Sequence, residues 1–307
     1  SRVIGAEGLG IYQLIFPIST ICFSITVSGL NTALSKYIAE YQTDNPSAPK
    51  QLLRACLIIS LSLSVIFMGI LTKYADFIAE HILLEPRCAS LIPILALSIP
   101  LASLHSCIHG YYYGKKKADV PAFSSFIEQL MRVGFVFLIY KIRFEAHQTI
   151  DASIAVWGLA AGEAAASLFC LTALLLSKDT SAPKTTASVK APFGKLITYS
   201  LPLSANRLAL TLFASFESIL IPSRLCLYGY SHTDALSIYG ILTGMALSII
   251  FFPTVLTNSI SVMVLPEISE ADSRNDTDRI KKSIRLTIFG SLLLGSLCTF
   301  GFLIFGK

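Results

Sequence analysis

Five stretches of the chain carry no Asp, Glu, Lys or Arg: residues 8–35, 55–72, 88–114, 235–266 and 286–306. Each reaches the ~18 residues that mark a membrane-spanning helix. Three further stretches, 120–140, 152–177 and 196–221, are nearly as apolar but hold a few ionisable residues. The pattern predicts eight membrane helices, at about 9–33, 52–73, 91–113, 120–141, 152–177, 196–222, 235–264 and 284–305. A helix that is apolar all round has no polar face to meet water, so the fold class is an all-α integral membrane protein. The run 235–266 is longer than one span needs and is expected to tilt or break. Pro17, Pro100, Pro202 and Pro253 fall inside predicted helices. The carbonyls they free must be satisfied by protein or by a water-filled cavity, so each marks either a packing kink or a cavity wall.

The polar interruptions give the chain a near-repeat. Residues 8–72 and 235–305 share one plan: a tyrosine, a long uncharged stretch, a polar turn, a basic residue and a second apolar stretch. Tyr12 answers to Tyr239, Leu34 to Leu265 and Arg54 to Arg285. Both copies cross the membrane in the same direction, which makes the repeat a parallel one about the membrane normal, as in transporters built from two lobes. The expected organisation is an N-terminal lobe at 1–177 lacking its first helix, a cytoplasmic linker at 178–195, and the start of a C-terminal lobe at 196–307. Because the chain opens without Met and on the outer side, a further helix is expected before Ser1.

Composition agrees: 53% of residues are hydrophobic and 14% charged, against about 25% charged in soluble domains. Lys and Arg are unevenly spread. Fifteen lie in the loops on one side and six in those on the other. The basic side is cytoplasmic, which places 34–51, 114–119, 178–195 and 266–283 inside. This bias accounts for the net charge of +5, and no basic surface interleaved with aromatics points to nucleic acid. The seven cysteines form no CxxC pair. Most sit in apolar runs, where Cys behaves as a small hydrophobe.

Charge inside a membrane helix costs about 2.5–3.5 kcal/mol on insertion scales, so each such residue is a candidate for function. Glu128 and Arg132 are spaced for an intrahelical pair. They either neutralise one another or face a cavity that binds an anionic headgroup. Arg207, beside Asn206, has no opposite charge at helical spacing on its own helix, and its guanidinium suits phosphate. Glu217 lies too far round and along the helix to pair with it. Glu163, among alanines and beside the small-residue face Gly158, Gly162 and Ala166, is a candidate proton or cation site, as is Glu217. His105 and His109 share a helix face but lack the further ligands of a metal centre; they read as cavity lining or a titrating pair. No catalytic constellation, nucleotide loop, metal site or cofactor motif is present. The sequence therefore does not read as an enzyme.

Ile4-Gly5-Ala6-Glu7-Gly8-Leu9-Gly10-Ile11-Tyr12-Gln13-Leu14-Ile15-Phe16-Pro17 resembles the opening of the stage V sporulation protein B and polysaccharide-biosynthesis family. So do His109-Gly110-Tyr111-Tyr112-Tyr113-Gly114, Ile127-Glu128-Gln129-Leu130-Met131-Arg132-Val133 and Tyr239-Gly240-Ile241-Leu242-Thr243-Gly244-Met245. The family is part of the multidrug/oligosaccharidyl-lipid/polysaccharide exporter superfamily, which includes the lipid II flippases. The resemblance implies two six-helix lobes around a cavity, alternating access and a polyprenyl-linked saccharide as the substrate carried across the plasma membrane, where the chain is expected to lie. The expected partners are a lipid-linked oligosaccharide, the bilayer and enzymes of cell-wall or polysaccharide synthesis. Arg207, Arg132, Glu128, Asn206 and His109 are the expected substrate-binding residues, with Glu163 and Glu217 as coupling-ion candidates. His109 stands where the branch often has arginine. Residues 9–35 also lack the cavity arginines of lipid II flippases, so neither that pocket nor lipid II carries over. The rival expectations are a cation-coupled multidrug exporter and a non-transporting scaffold for envelope assembly.

Overall fold

The computed structural model describes residues 5–41, 48–115, 117–145, 151–177, 193–255, 257 and 276–305. Helix α1 (Gly5–Phe23), a π-helical turn (Ser24–Ser28) and α2 (Gly29–Tyr41) run on from one another. Helix α3 (Ala48–Lys73) and the short α4 (Ala75–Phe77) lead through a π turn and a 3-10 turn (Pro86–Cys88) into α5 (Ile92–Gly114). Then come α6 (Asp119–Glu145), α7 (Ser153–Leu176), α8 (Phe193–Leu227) and α9 (His232–Ile241). A π turn (Leu242–Ala246), α10 (Leu247–Ile250) and α11 (Thr277–Phe305) follow. Among the described residues, eight helical segments are long and apolar enough to cross a membrane.

The predicted spans are therefore present, but their ends differ. The first helical segment covers 5–41 rather than 9–33, and α8 covers 193–227 rather than 196–222. Charged residues such as Lys36 and Glu40 mark where the membrane ends, not where a helix must stop. The long run predicted at 235–264 starts at His232, passes through the π turn and meets a turn at Phe251 just before Pro253. Most of the loop predicted at 266–283, and linker residues 178–192, lie outside the described residues. The described end of that loop is helical: α11 begins earlier than expected, at Thr277 rather than 284.

The chain divides into two compact units, Ser1–Ile241 and Leu242–Lys307. In the first, α3, α5 and α7 pack side by side, α6 lies on α7, α8 on α1 and α2, and α9 on α1. Two apolar clusters hold it together. One gathers Leu14, Ile15, Ala79, Ile92, Leu95, Val156 and Leu236; the other gathers Leu34, Ile38, Leu52, Ile108, Tyr111, Cys170 and Leu196. Between them runs a polar seam. Ser103 Oγ lies 2.6 Å from Ser64 Oγ and 3.3 Å from Thr26 Oγ1. Asn31 Nδ2 donates to Ser106 Oγ at 2.9 Å, and Ser167 Oγ donates to the Leu101 carbonyl at 2.6 Å. Satisfying hydroxyls against one another is what an apolar surrounding demands. The outward side of α6, with Phe123, Phe126, Leu130, Val133 and Phe137 exposed, suits acyl chains rather than water. Cys56, Cys107 and Cys170 are buried free thiols, small apolar fillers as expected. In the second unit, α11 carries Lys281, Lys282 and Arg285 in its first turns and an apolar remainder.

Candidate functional site

The polar seam ends in a cluster of ionisable side chains contributed by α5, α6 and α7. Helix α7 approaches α6 closely because Gly162 has no side chain: a Cβ there would sit 2.9 Å from the Glu128 carbonyl oxygen. That approach brings Glu163, the next residue, against the charged turn of α6. Arg132 Nη2 donates to Glu128 Oε1 at 2.5 Å and lies 3.8 Å from Glu163 Oε1. From α5, His105 Nδ1 lies 3.2 Å from Glu163 Oε2. The His109 ring lies one turn further on, tilted by 56° to that of His105 with its centroid 5.0 Å away.

Several atoms of this cluster are buried without a hydrogen-bond partner among the described residues: His105 Nδ1, His109 Nε2, Arg132 Nε and Glu163 Oε2. The His105–Glu163 contact is close in distance, yet it is not aligned as a hydrogen bond. Each of His105, Glu128 and Glu163 can offer an atom within 4.8 Å of the other two. The geometry does not make a divalent-metal centre, because the Arg132 guanidinium bonded to Glu128 opposes a second concentrated positive charge. The structure thus brings Glu128, Arg132, Glu163 and His109 into one neighbourhood and adds His105. It does not gather Asn206, Arg207 or Glu217 there. All three are exposed on α8, and neither Arg207 nor Glu217 makes an ion pair with a described residue.

A second ionic cluster was not singled out from the sequence. It sits outside the apolar spans, beyond the start of α1 and α5. The turn at Leu84, left-handed with φ 56°, aims Glu85 back inward. Glu85 caps the 3-10 turn Pro86–Cys88, accepting from the Arg87 backbone N–H. Arg87 grips both Glu85 oxygens, Nε at 2.7 Å and Nη2 at 2.9 Å, and reaches Glu7 at the start of α1 with Nη1 at 2.7 Å. His232 Nδ1 at the start of α9 is 3.4 Å from Glu85 Oε2. The group borders a cavity of about 380 Å³ that Asp151 and Ala152 also line. Three segments distant in sequence are so fastened at one end of the unit.

Burial alone would raise the Glu85 pKa, but the Arg87 hydrogen bonds and charge outweigh it and hold the carboxyl below its ordinary value. The neighbouring Cys88 is pushed up to about 12, first by burial and then by the Glu85 charge, and is inert as a nucleophile. A carboxyl with a lowered folded pKa stabilises the fold above its unfolded pKa of about 4.3, and this contribution is lost as pH falls through the lowered value. Arg87→Ala leaves the Glu85 side chain, 3% exposed, without its donors, at a cost of about 2 kcal/mol. Thermal unfolding will show that deficit near neutral pH, and it will shrink below the ordinary glutamate range. A deficit that does not change with pH would show that Glu85 is not the group Arg87 supports.

The family model for polysaccharide biosynthesis proteins matches residues 1–270. Stage V sporulation protein B of Bacillus subtilis is 29% identical over 305 residues, an alignment covering 94% of this chain and 57% of that protein. Sporulation protein YkvU of the same organism is 23% identical, over 96% of this chain and 65% of its own. The lipid II flippase MurJ of Bacillus subtilis is 22% identical, over 96% of this chain and 57% of its own. The chain therefore spans less than two thirds of the length of these relatives. Among solved structures, the inward-facing conformation of a multidrug resistance MATE family transporter of the MOP superfamily superposes with a TM-score of 0.72. That match covers 97% of this chain and 66% of the transporter at 16% sequence identity, a likeness of fold.

Proposed function

Because the chain belongs to the polysaccharide biosynthesis protein family and is a multi-pass plasma-membrane protein with the fold of the MOP superfamily, we propose that it moves a polyprenyl-linked saccharide across that membrane by alternating access. The family match over residues 1–270 carries this reading, together with a flippase among the relatives. The two lobes expected at 1–177 and 196–307 supply the moving parts, and their parallel repeat supplies the symmetry.

The charged groups take distinct parts. Arg207 and Asn206, exposed on α8, present a planar cation and an amide to the diphosphate or acidic sugar of the headgroup. Arg132 is tied to Glu128, so it contributes positive field at mid-depth rather than a free donor fork, and His109 lines the same region. The lipid tail stays in the bilayer. Glu163 and Glu217 are the carboxylates through which an ion gradient would act.

The test is translocation of a fluorescent polyprenyl-diphosphate sugar by the full-length protein in liposomes. Arg207→Ala is expected to slow it roughly tenfold or more, the worth of a charge-assisted phosphate contact. A mutant at wild-type rate removes Arg207 from the mechanism. The solved-structure likeness to a drug transporter keeps one second reading in view, a cation-coupled exporter using Glu128, Glu163 or Glu217. Gradient-dependent drug efflux that disappears on Glu→Gln substitution, with no saccharide translocation, would select it. An envelope scaffold would show neither activity.

A further inference from the structure

Charge balance at the buried cluster is incomplete. With a neutral imidazole, Glu128 and Glu163 contribute two negative charges and Arg132 one positive, a net of one negative charge between two apolar clusters. An uncompensated charge there is expensive, and the surroundings favour whatever supplies one positive charge. The structure also shows where that charge fits. His105 is only 8% exposed, and its Nδ1 makes no well-aligned hydrogen bond among the described residues. Facing it at 3.2 Å is Glu163 Oε2, buried and equally without one. With the imidazole proton on Nε2, two acceptors face one another at that separation and repel. One proton held on Glu163 makes a single O–H···N bond to His105 Nδ1 that satisfies both atoms and brings the cluster to neutrality.

A metal cation fits less well. Sodium prefers a shell of oxygen ligands, and the atom opposite Glu163 is a ring nitrogen. A divalent ion would meet the Arg132 guanidinium. We propose that His105 and Glu163 jointly bind one exchangeable proton, and that this site is where a proton gradient acts on the carrier. The second half rests on the flippase reading; the first does not.

The groups facing the site are Glu128 and Arg132 on α6, His109 on α5 and Tyr12 on α1, which lies within electrostatic reach of both Arg132 and Glu163. Helix α3 adds only hydroxyls at this depth, Ser60 and Ser64, and α2 adds the Asn31 amide. Among the described residues, Arg132 is the one cation paired with these carboxylates. On uptake, the proton enters as H⁺ and forms the O–H bond of Glu163; on release that bond breaks and the carboxylate returns to its anionic form, the imidazole staying neutral throughout. No oxidant or second reactant is needed.

The test is an infrared pH titration of the full-length protein in liposomes, following the carboxylic-acid carbonyl stretch with no substrate present. The wild type is expected to gain one such band as pH falls, and Glu163→Gln, which copies the shape of the protonated side chain, to lack it. His105→Asn should keep the band but bind the proton about tenfold more weakly, the worth of one hydrogen bond to a charged group. Glu163→Asp should retain a titrating band, which separates loss of the site from loss of the fold. A band that survives in Glu163→Gln, or a midpoint that His105→Asn leaves in place, overturns the assignment. A midpoint that moves with sodium concentration overturns it in favour of a sodium site. If the titration holds and saccharide translocation fails, the proton site stands and the flippase reading falls. If both hold but translocation ignores an imposed pH gradient, the coupling role is refuted and the binding site alone remains.

Discussion

Replacing Arg132 by Met is expected to destabilise the first unit by about 2–3 kcal/mol, below the ~3–5 kcal/mol for removing one partner of a fully buried ion pair because this pair is part-buried. The substitution keeps much of the side-chain volume and loses only the cation. Glu128 then has no donor at 2.5 Å, and the nearer Glu163 oxygen loses the positive charge 3.8 Å away. Two carboxylates able to come within 4.8 Å of one another remain in an apolar setting. Thermal unfolding of the detergent-extracted protein reads the loss directly. Where the single variant is too unstable to isolate, Arg132→Met combined with Glu128→Gln decides the point. Removing the matching negative charge restores most of the stability, so the double variant is expected to be more stable than the single one. A double variant no better than the single would mean that Arg132 does not act on Glu128 in the folded protein.

Gly10→Val is the second change expected to be severe. Helices α1 and α9 cross with backbone against backbone. A Cβ at Gly10 runs into the Leu236 carbonyl oxygen and lies 2.9 Å from the Leu236 carbonyl carbon. A Cβ at Gly240 would likewise sit 2.5 Å from the Ala6 carbonyl oxygen and the Gly10 nitrogen. Neither obstacle is the tip of a flexible side chain, so the helices must separate. The expected cost is about 3 kcal/mol, the upper part of the range for overpacking. Gly69→Ala on α3 is the built-in control: nothing lies within 4 Å of its Cβ. There, replacing glycine in a helix stabilises by about 0.5–1 kcal/mol. The same chemistry thus changes sign with the neighbour. Equal unfolding temperatures for Gly10→Ala and Gly69→Ala would show that the crossing is not as tight as drawn.

Much of this architecture is legible in the chain because membrane burial writes itself as an absence of charge. Runs without Asp, Glu, Lys or Arg located the helices, and the exceptions within them located Glu128, Arg132 and Glu163. Their spacing also announced the Glu128–Arg132 pair, since residues four apart meet on any helix. That His105 faces Glu163 was not legible. Such a pairing depends on how α5 and α7 are rotated toward one another, which their packing against neighbouring helices decides. Arg207 and Glu217 stood out by the same rule of charge in an apolar run. Their placement on the exposed side of α8 depends on a rotation that one helix alone cannot reveal. The Glu7–Arg87–Glu85–His232 cluster escaped notice for the opposite reason. It lies between spans, where charges are ordinary. The available signal was Glu85-Pro86-Arg87, an acid placed to cap a turn that starts with proline.

The polar seam between the two apolar clusters has a consequence for how substitutions are tolerated. On α2, α3 and α5 the seam positions are Asn31, Ser64, Ser103 and Ser106, each bonded to a side chain on another helix. An apolar replacement there strands a buried partner, at about 1–3 kcal/mol. A short distance along the same helices, at Leu34, Leu71 or Leu95, a polar replacement is the damaging one. Scored across every position of the first unit, the damaging chemistry will therefore change in bands at matching depth on neighbouring helices. Depth in the membrane, more than order along the chain, decides which kind of residue each position refuses.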